Sequence, residues 1–201
     1  MKTCEYDGEP FREPRSHPWT DGAVDAAARY HDFTQAPQLI RSSLEDFKPF
    51  QRFAAVDDFY ALLERINHPK FLLESNDCAF TGPGPKQSAQ NPHAVECSGR
   101  LMLLYRALEL NTLKPRLARL RQELHQTLEQ LDPGFSTGIV GTTLVPVRYL
   151  ALPADAQLGE QLMLSFWSFG DSDESVMRNL ARLIKNLSQA LRSVSTRLAA
   201  A

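Results

Sequence analysis

The chain has 201 residues, of which 43% are hydrophobic and 23% are charged, and its formal net charge is −2 at pH 7. This balance argues against a disordered chain or a strongly basic nucleic-acid-binding protein, and the length predicts one domain with a substantial core. No apolar run approaches the ~18 residues of a membrane-spanning helix, and the start lacks the basic-then-apolar order of a secretory signal. Three cysteines without disulfide-scaffold spacing favour a reducing, cytoplasmic setting.

Residues 1–22 carry three prolines among charged side chains, which predicts an irregular, mobile N-terminal arm. Its large apolar anchors are Phe11 and Trp19. The arm could be a disordered end, or it could lay these two rings onto the domain or onto a second copy of the chain in a homodimer. The rest of the chain, 23–201, is predicted to form a single domain.

The first third of this domain is predicted to be helical, in short pieces separated by proline. One helix is expected over Ala23–Phe33, a second over Pro37–Phe47, and a third between Asp57 and Pro69. Such short helices are marginal alone and need a larger element to pack on.

A strand is predicted over Phe71–Phe80, where an apolar start gives way to polar residues. Two glycines and two prolines then predict an exposed, mobile loop over Thr81–Asn91. The next segment has two interpretations. Its Leu, Met, Arg, Ala and Glu content favours a helix from Asn91 to Leu110, whereas the short apolar run LMLLY is compatible with a strand over Arg100–Arg106.

The second half of the chain contains clearer patterns. Leucines in steps of three and four predict a helix over Leu113–Leu131. Gly138–Leu152 is rich in Val and Thr and predicts a strand, in which Pro146 argues for an edge position or a bulge. Leu162–Phe169 is apolar at both alternating faces and predicts a central strand covered on both sides, with Trp167 largely buried.

The last helix is predicted over Asp173–Leu198, after a strand stop that supplies capping oxygens. One apolar stripe faces the core, and a basic stripe lies about 200° around the helix axis. That stripe could be a solvated face or a docking surface for an acidic partner. Its members are Arg178, Arg182, Lys185 and Arg192.

Together these patterns predict an α+β protein. A small, mainly antiparallel sheet should contain Phe71–Phe80, Ile139–Leu152 and Leu162–Phe169, with the latter two strands joined as a hairpin. Several helices, including a long C-terminal amphipathic one, should pack on this sheet.

The densest polar cluster spans Glu74 to Arg100 and supports several hypotheses. As a protein-binding surface, it would use Glu74, Asp77, His93, Glu96 and Arg100. As a hydrolase or transferase site, Cys78 or Cys97 would be a nucleophile activated by His93, with Asp77 or Glu96 orienting the imidazole. The same residue types could ligate zinc, but no Cys-x-x-Cys pair is present. We therefore expect no bound metal, nucleotide or organic cofactor.

With no strong catalytic motif, the sequence favours a cytoplasmic protein-binding module. Examples of this class are an immunity or antitoxin-type inhibitor and an adaptor that acts by protein–protein contact. The small Cys/His/Asp enzyme is the alternative. We expect no membrane partner. Nucleic-acid binding is disfavoured, because the basic patch on the Leu113–Leu131 helix lacks aromatic residues; that patch is Lys114, Arg116, Arg119 and Arg121.

Overall fold

The computed structural model describes residues 1–6, 14–19, 30–87 and 91–200. Four α-helices lie in this part of the chain: α1 (Leu39–Ser43), α2 (Ala54–Ile66), α3 (Lys114–Leu131) and α4 (Asp173–Ala199). Its six strands are β1 (Lys2–Glu5), β2 (Arg15–His17), β3 (Leu73–Pro85), β4 (Val95–Tyr105), β5 (Gly138–Tyr149) and β6 (Leu158–Gly170). Short 3-10 helices occupy Glu45–Phe50, Leu108–Thr112 and Ala154–Ala156.

All six strands form one sheet, whose antiparallel core runs in the order β5, β6, β4, β3. β1 and β2 both lie parallel to β5 along its other side, opposite 139–142 and 147–149 respectively. Pro146 falls between these two stretches, where its missing N–H removes no ladder bond on that side. The predicted α+β class, the mainly antiparallel sheet, the central position of β6 and its hairpin with β5 are confirmed.

One face of the sheet is covered by helices, with α4 in contact with both α2 and α3. The inward side chains of β6 are Leu162, Leu164 and Phe166, all fully buried in the main core. α4 is capped by Ser172, whose hydroxyl accepts a hydrogen bond from the Ser175 N–H in a capping box. The predicted strand, capping stop and amphipathic helix therefore occur as expected.

The directions of the helices follow from their contacts with the strands. α2 is preceded by Phe50, which packs on Gly82 near the end of β3, and its last residue, Ile66, meets Arg106 just beyond β4. α4 starts after Gly170, opposite the beginning of β4. α2 and α4 therefore run the same way, whereas α3 runs against α4, because Asp132 at its end bonds Arg182 in the first part of α4.

The prediction of a helix from Asn91 to Leu110 is wrong, because Val95–Tyr105 forms strand β4. Leu101 and Leu103 face the helices, while Met102 and Leu104 belong to clusters on the opposite face. Burial on both faces removed the alternation that marks a half-exposed strand. Tertiary pairing with β3 and β6 therefore overrode the helix propensity of these residues.

Three other predictions need correction. The N-terminal arm is not irregular throughout, because β1 and β2 join the sheet. The predicted Thr81–Asn91 loop is strand as far as Pro85, and 88–90 lie outside the described residues. The helix predicted over Ala23–Phe33 falls largely on 20–29, which also lie outside the described residues, and Tyr30–Phe33 is not helical.

Candidate functional site

The sheet face opposite the helices, here called the outer face, has two halves. In the closed half, Arg15–Trp19 lies over the polar and aromatic side chains of β3, β5 and β6. In the other half, here called the outer-face patch, side chains keep part of their surface in solvent. The patch consists of Tyr6, Ala79, Thr81, Glu96, Ser98, Arg100, Ile139, Trp167 and Phe169.

Trp19 anchors the closed half and is only 7% exposed. Its indole N–H donates to the Asn76 carbonyl oxygen at 2.8 Å, and the Arg15 guanidinium lies 4.1 Å from the centre of its ring. Arg15 also bonds the Asp77 carboxylate at 2.7 Å, and Arg100 reaches the same oxygen at 3.3 Å. Asp77 therefore links the N-terminal segment to the edge of the outer-face patch.

His17 lies in a buried polar network next to Trp19. Its Nδ1 is 3.3 Å from the Asn76 amide nitrogen, which also donates to Gln161 Oε1 at 2.8 Å. Burial lowers the pKa of His17 to about 4, so the imidazole is neutral at pH 7 despite Glu74 at 3.9 Å.

Glu74 is held by Arg106, whose Nη1 donates to its carboxylate at 2.7 Å. Burial raises the pKa of Glu74, although the neighbouring Arg106 opposes that shift. Arg106 also donates to backbone carbonyls, including that of Leu73. This ion pair ties the start of β3 to the end of β4.

The outer-face patch is ordered by strand register. Ile139, Trp167, Ser98 and Thr81 are paired in a row across β5, β6, β4 and β3. The neighbouring row pairs Gly141, Ser165, Arg100 and Ala79 across the same strands. One tryptophan and one arginine therefore stand side by side on the sheet among small residues.

Tyr6 packs beside this tryptophan. Its ring centre lies 6.5 Å from that of Trp167 in an edge-to-face arrangement, and its hydroxyl is 2.7 Å from the Ser165 hydroxyl. A Cβ at Gly141 would lie 2.9 Å from the Tyr6 ring and 3.0 Å from the Trp167 ring. Glycine at this position therefore leaves room for both rings.

Most of the surface of Trp167 is buried, in agreement with the prediction, but part of the side chain remains in solvent. Alternation along β6 was correct, because Trp167 does face away from the helices. The open position of this half of the sheet could not be recognised from an apolar run alone.

The five residues predicted as a binding surface separate into three groups. Glu74 and Asp77 are mostly buried in ion pairs within the chain. Arg100 and Glu96 lie in the outer-face patch, and the Arg100 side chain is 41% exposed. His93 lies beyond one end of the patch, with its Nδ1 3.3 Å from the exposed Asp171 carboxylate.

The alternative catalytic residues do not form an activated thiol in this structure. Cys97 is 1% exposed, and burial raises the pKa of its thiol to about 12. Burial also raises the pKa of the Cys78 thiol, with the nearby carboxylate of Asp77 adding to the shift. A nucleophilic thiol requires a lowered pKa, so both shifts oppose this role. His93 is hydrogen-bonded to Asp171.

Within the described ranges, no group of three or more His, Cys, Asp or Glu side chains could hold a metal ion. The same part of the chain contains no helix long and apolar enough to cross a membrane.

Sequence reasoning missed the contribution of the N-terminal segment to the site. Arg15 and His17 gave no local signal, because their roles depend on partners about 60 residues away or more. The alternative that the arm lies on the domain is observed for Trp19, whereas Phe11, the other predicted anchor, lies outside the described residues.

Comparison of the chain with protein-family models, with curated proteins and with solved structures produced no match.

Proposed function

We propose that this protein is a protein-binding module and that the outer-face patch is its docking surface. The observation that carries the proposal is the partly exposed Trp167, which stands beside Arg100 on a sheet face whose other half is closed by the chain itself. Tryptophan, tyrosine and arginine are the residues most enriched among strong contacts of protein interfaces. An immunity or antitoxin-type inhibitor, or an adaptor, acts through a surface of this kind.

The small residues around Trp167 favour a partner that docks on the outer sheet face. Ser98, Thr81 and Ala79 leave the tryptophan and arginine accessible, while Glu96 adds a charge at the rim. A partner can bury the aromatic rings at the centre and pair the charges at the edge, which favours specificity.

The sheet edges are poor sites for strand addition. β3 contains Pro83 and Pro85 and two register shifts, and β1 is only four residues long. Proline, bulges and short edge strands are features that prevent edge pairing. These features favour the face over the edges as the contact surface.

Site-specific photocrosslinking in the native host tests the proposal. A photoreactive amino acid at the exposed Thr81 should give one discrete protein adduct, whereas the same group at the exposed loop residue Ser136 should not. The captured protein, once purified, should form a stoichiometric complex that Thr81→Arg weakens and Ser136→Arg does not. Equal adducts at both positions, or none at Thr81, would refute the proposal.

Reversing the charge of Glu96 provides a second test of the proposed docking surface. Glu96→Lys changes the rim of the patch, where the Asn91 amide donates a long hydrogen bond of 3.4 Å to the Glu96 carboxylate. Asp77→Lys would instead break the ion pairs with Arg15 and Arg100. We expect Glu96→Lys to slow or weaken binding without unfolding the protein, because rim charges mainly affect association.

A further inference from the structure

A second surface lies on the helical side of the molecule, between α2 and α4. An open groove of about 770 Å³ is lined by two residue sets that differ in chemistry. Its charged residues are Asp58, Arg65, Lys185, Arg192 and Arg197. Its remaining residues are Ala61, Ile184, Ser188, Gln189, Ser193 and Thr196.

The groove has four cations and one carboxylate, an excess of three positive charges in a chain with net charge −2. Lys185 Nζ lies 3.5 Å from Asp58 Oδ2, and Arg197 donates to Glu123 at 3.0 Å. Arg65 and Arg192 are exposed and make no ion pair within the described part of the chain. These two arginines therefore supply the unbalanced charge.

Helix geometry places these two arginines at a common level. Arg65 is seven residues beyond Asp58 on α2, and Arg192 is seven residues beyond Lys185 on α4. Because the helices run the same way, both arginines lie about 10 Å further along the groove than the Asp58–Lys185 pair, at about 1.5 Å per residue. They flank a floor of serine, glutamine and threonine side chains.

We propose that this groove binds an acidic segment of a partner protein. Carboxylates of that segment would pair with Arg65 and Arg192, and the polar floor would hydrogen-bond its backbone and side chains. Single-stranded nucleic acid fits less well, because none of the lining residues is aromatic and base stacking would have no platform. The groove lies on the opposite side of the sheet from the outer-face patch, so it provides a separate contact.

Fluorescence anisotropy with a labelled 15-residue Ala/Glu/Gln peptide tests this assignment, with an Ala/Lys/Gln peptide and a dT15 oligonucleotide as comparison probes. The Glu peptide should bind the wild-type chain, and the Lys peptide should not. Arg65→Glu with Arg192→Glu should weaken Glu-peptide binding at least about tenfold, because two attractive charges become repulsive.

The matched control is Arg148→Glu with Arg178→Glu, which changes the net charge equally at exposed positions outside the groove lining. We expect the control to retain binding within about threefold. If charge reversal disturbs folding, glutamine variants replace it. Arg65→Gln with Arg192→Gln should still weaken binding of the Glu peptide more than Arg148→Gln with Arg178→Gln does.

Absence of Glu-peptide binding by the wild-type chain would overturn the proposal. Equal losses in the groove and control variants would also overturn it, because binding would then follow net charge alone. Tighter binding of dT15 that is lost in the same groove variant would assign the groove to nucleic acid instead. Self-association of the wild type that Arg65→Glu with Arg192→Glu abolishes would assign it to a second copy.

Discussion

The two halves of the outer sheet face are built from similar residues but differ in how far those residues are exposed to solvent. In the closed half, Trp19 is 7% exposed, its N–H is hydrogen-bonded, and Arg15 stacks on its ring. In the outer-face patch, Trp167 is partly exposed and packs beside Tyr6. The Arg15–Trp19 pair thus fastens the chain to itself in one half, whereas Trp167 and Arg100 each keep part of their side chain in solvent in the other.

Under the proposed function, one sheet face provides both stability and recognition. Glu74 and Asp77, which lie near the closed half, are held in ion pairs within the chain. Arg100 connects the halves, because it bonds Asp77 while 41% of its side chain stays exposed. Mutations in the closed half should therefore affect folding first, whereas mutations in the patch should affect binding first.

The largest expected effect is on stability when Trp19 is removed. Trp19→Ala should lower the free energy of unfolding by about 3–5 kcal/mol, as for other buried tryptophans. It also leaves the Asn76 carbonyl without its donor. Urea denaturation measures this loss, and a change below about 1 kcal/mol would show that the closed half does not stabilise the fold.

Acid should destabilise the closed half through His17, whose folded-state pKa is about 4 because of burial, compared with an ordinary value of 6.5. As the pH falls from 6.5 to 4, the unfolded chain binds a proton at His17 and the folded chain does not. The contribution of neutral His17 is therefore complete above pH 6.5 and falls by about 3 kcal/mol at pH 4, at 1.36 kcal/mol per pKa unit.

Urea denaturation between pH 7 and 4 measures that dependence, with His17→Gln as the comparison. Glu74 acts in the opposite direction, because burial raises its pKa and the folded state binds its proton more readily. The difference in slope between wild type and His17→Gln isolates the histidine. Identical slopes would contradict the burial of a neutral imidazole.

Trp167→Ala should have a smaller effect on stability, about 1–2 kcal/mol, because part of the ring is already in solvent and less apolar surface is lost. Differential scanning calorimetry of this variant beside Trp19→Ala compares the two halves directly. A loss in Trp167→Ala as large as in Trp19→Ala would remove the distinction between them.

The smallest expected effect concerns the thiols. Cys78 and Cys97 should react with iodoacetamide at least about tenfold more slowly than the exposed Cys4, because burial keeps them protonated. Mass spectrometry of timed reactions distinguishes the three sites. A Cys78 or Cys97 that reacts faster than Cys4 would favour the enzyme alternative.

The sequence predicted the elements whose signals are local. The leucine spacing of α3, the apolar run of β6 and the capped amphipathic α4 each carry their own pattern. β4 was misassigned, because strands pack on both sides of it and apolar groups cover both of its faces. β1 and β2 had no recognisable pattern, since they depend on parallel pairing with β5 more than 130 residues away.

The site was predicted in the same partial way. Polar residues of β3 and β4 were identified from their density, and Arg100 and Glu96 do lie in the outer-face patch. The intramolecular partners of Glu74 and Asp77 could not be identified, because Arg106 and Arg15 reach them only through strand register and the docked N-terminal segment.

Titration of the purified crosslinked partner into wild type and Trp167→Ala tests the central claim most directly. We expect Trp167→Ala to raise Kd by at least about thirtyfold while the variant stays folded at the titration temperature. This change corresponds to about 2 kcal/mol of binding free energy, as for an interface hot spot. An unchanged Kd in the folded variant would contradict the claim that the outer-face patch is the docking surface.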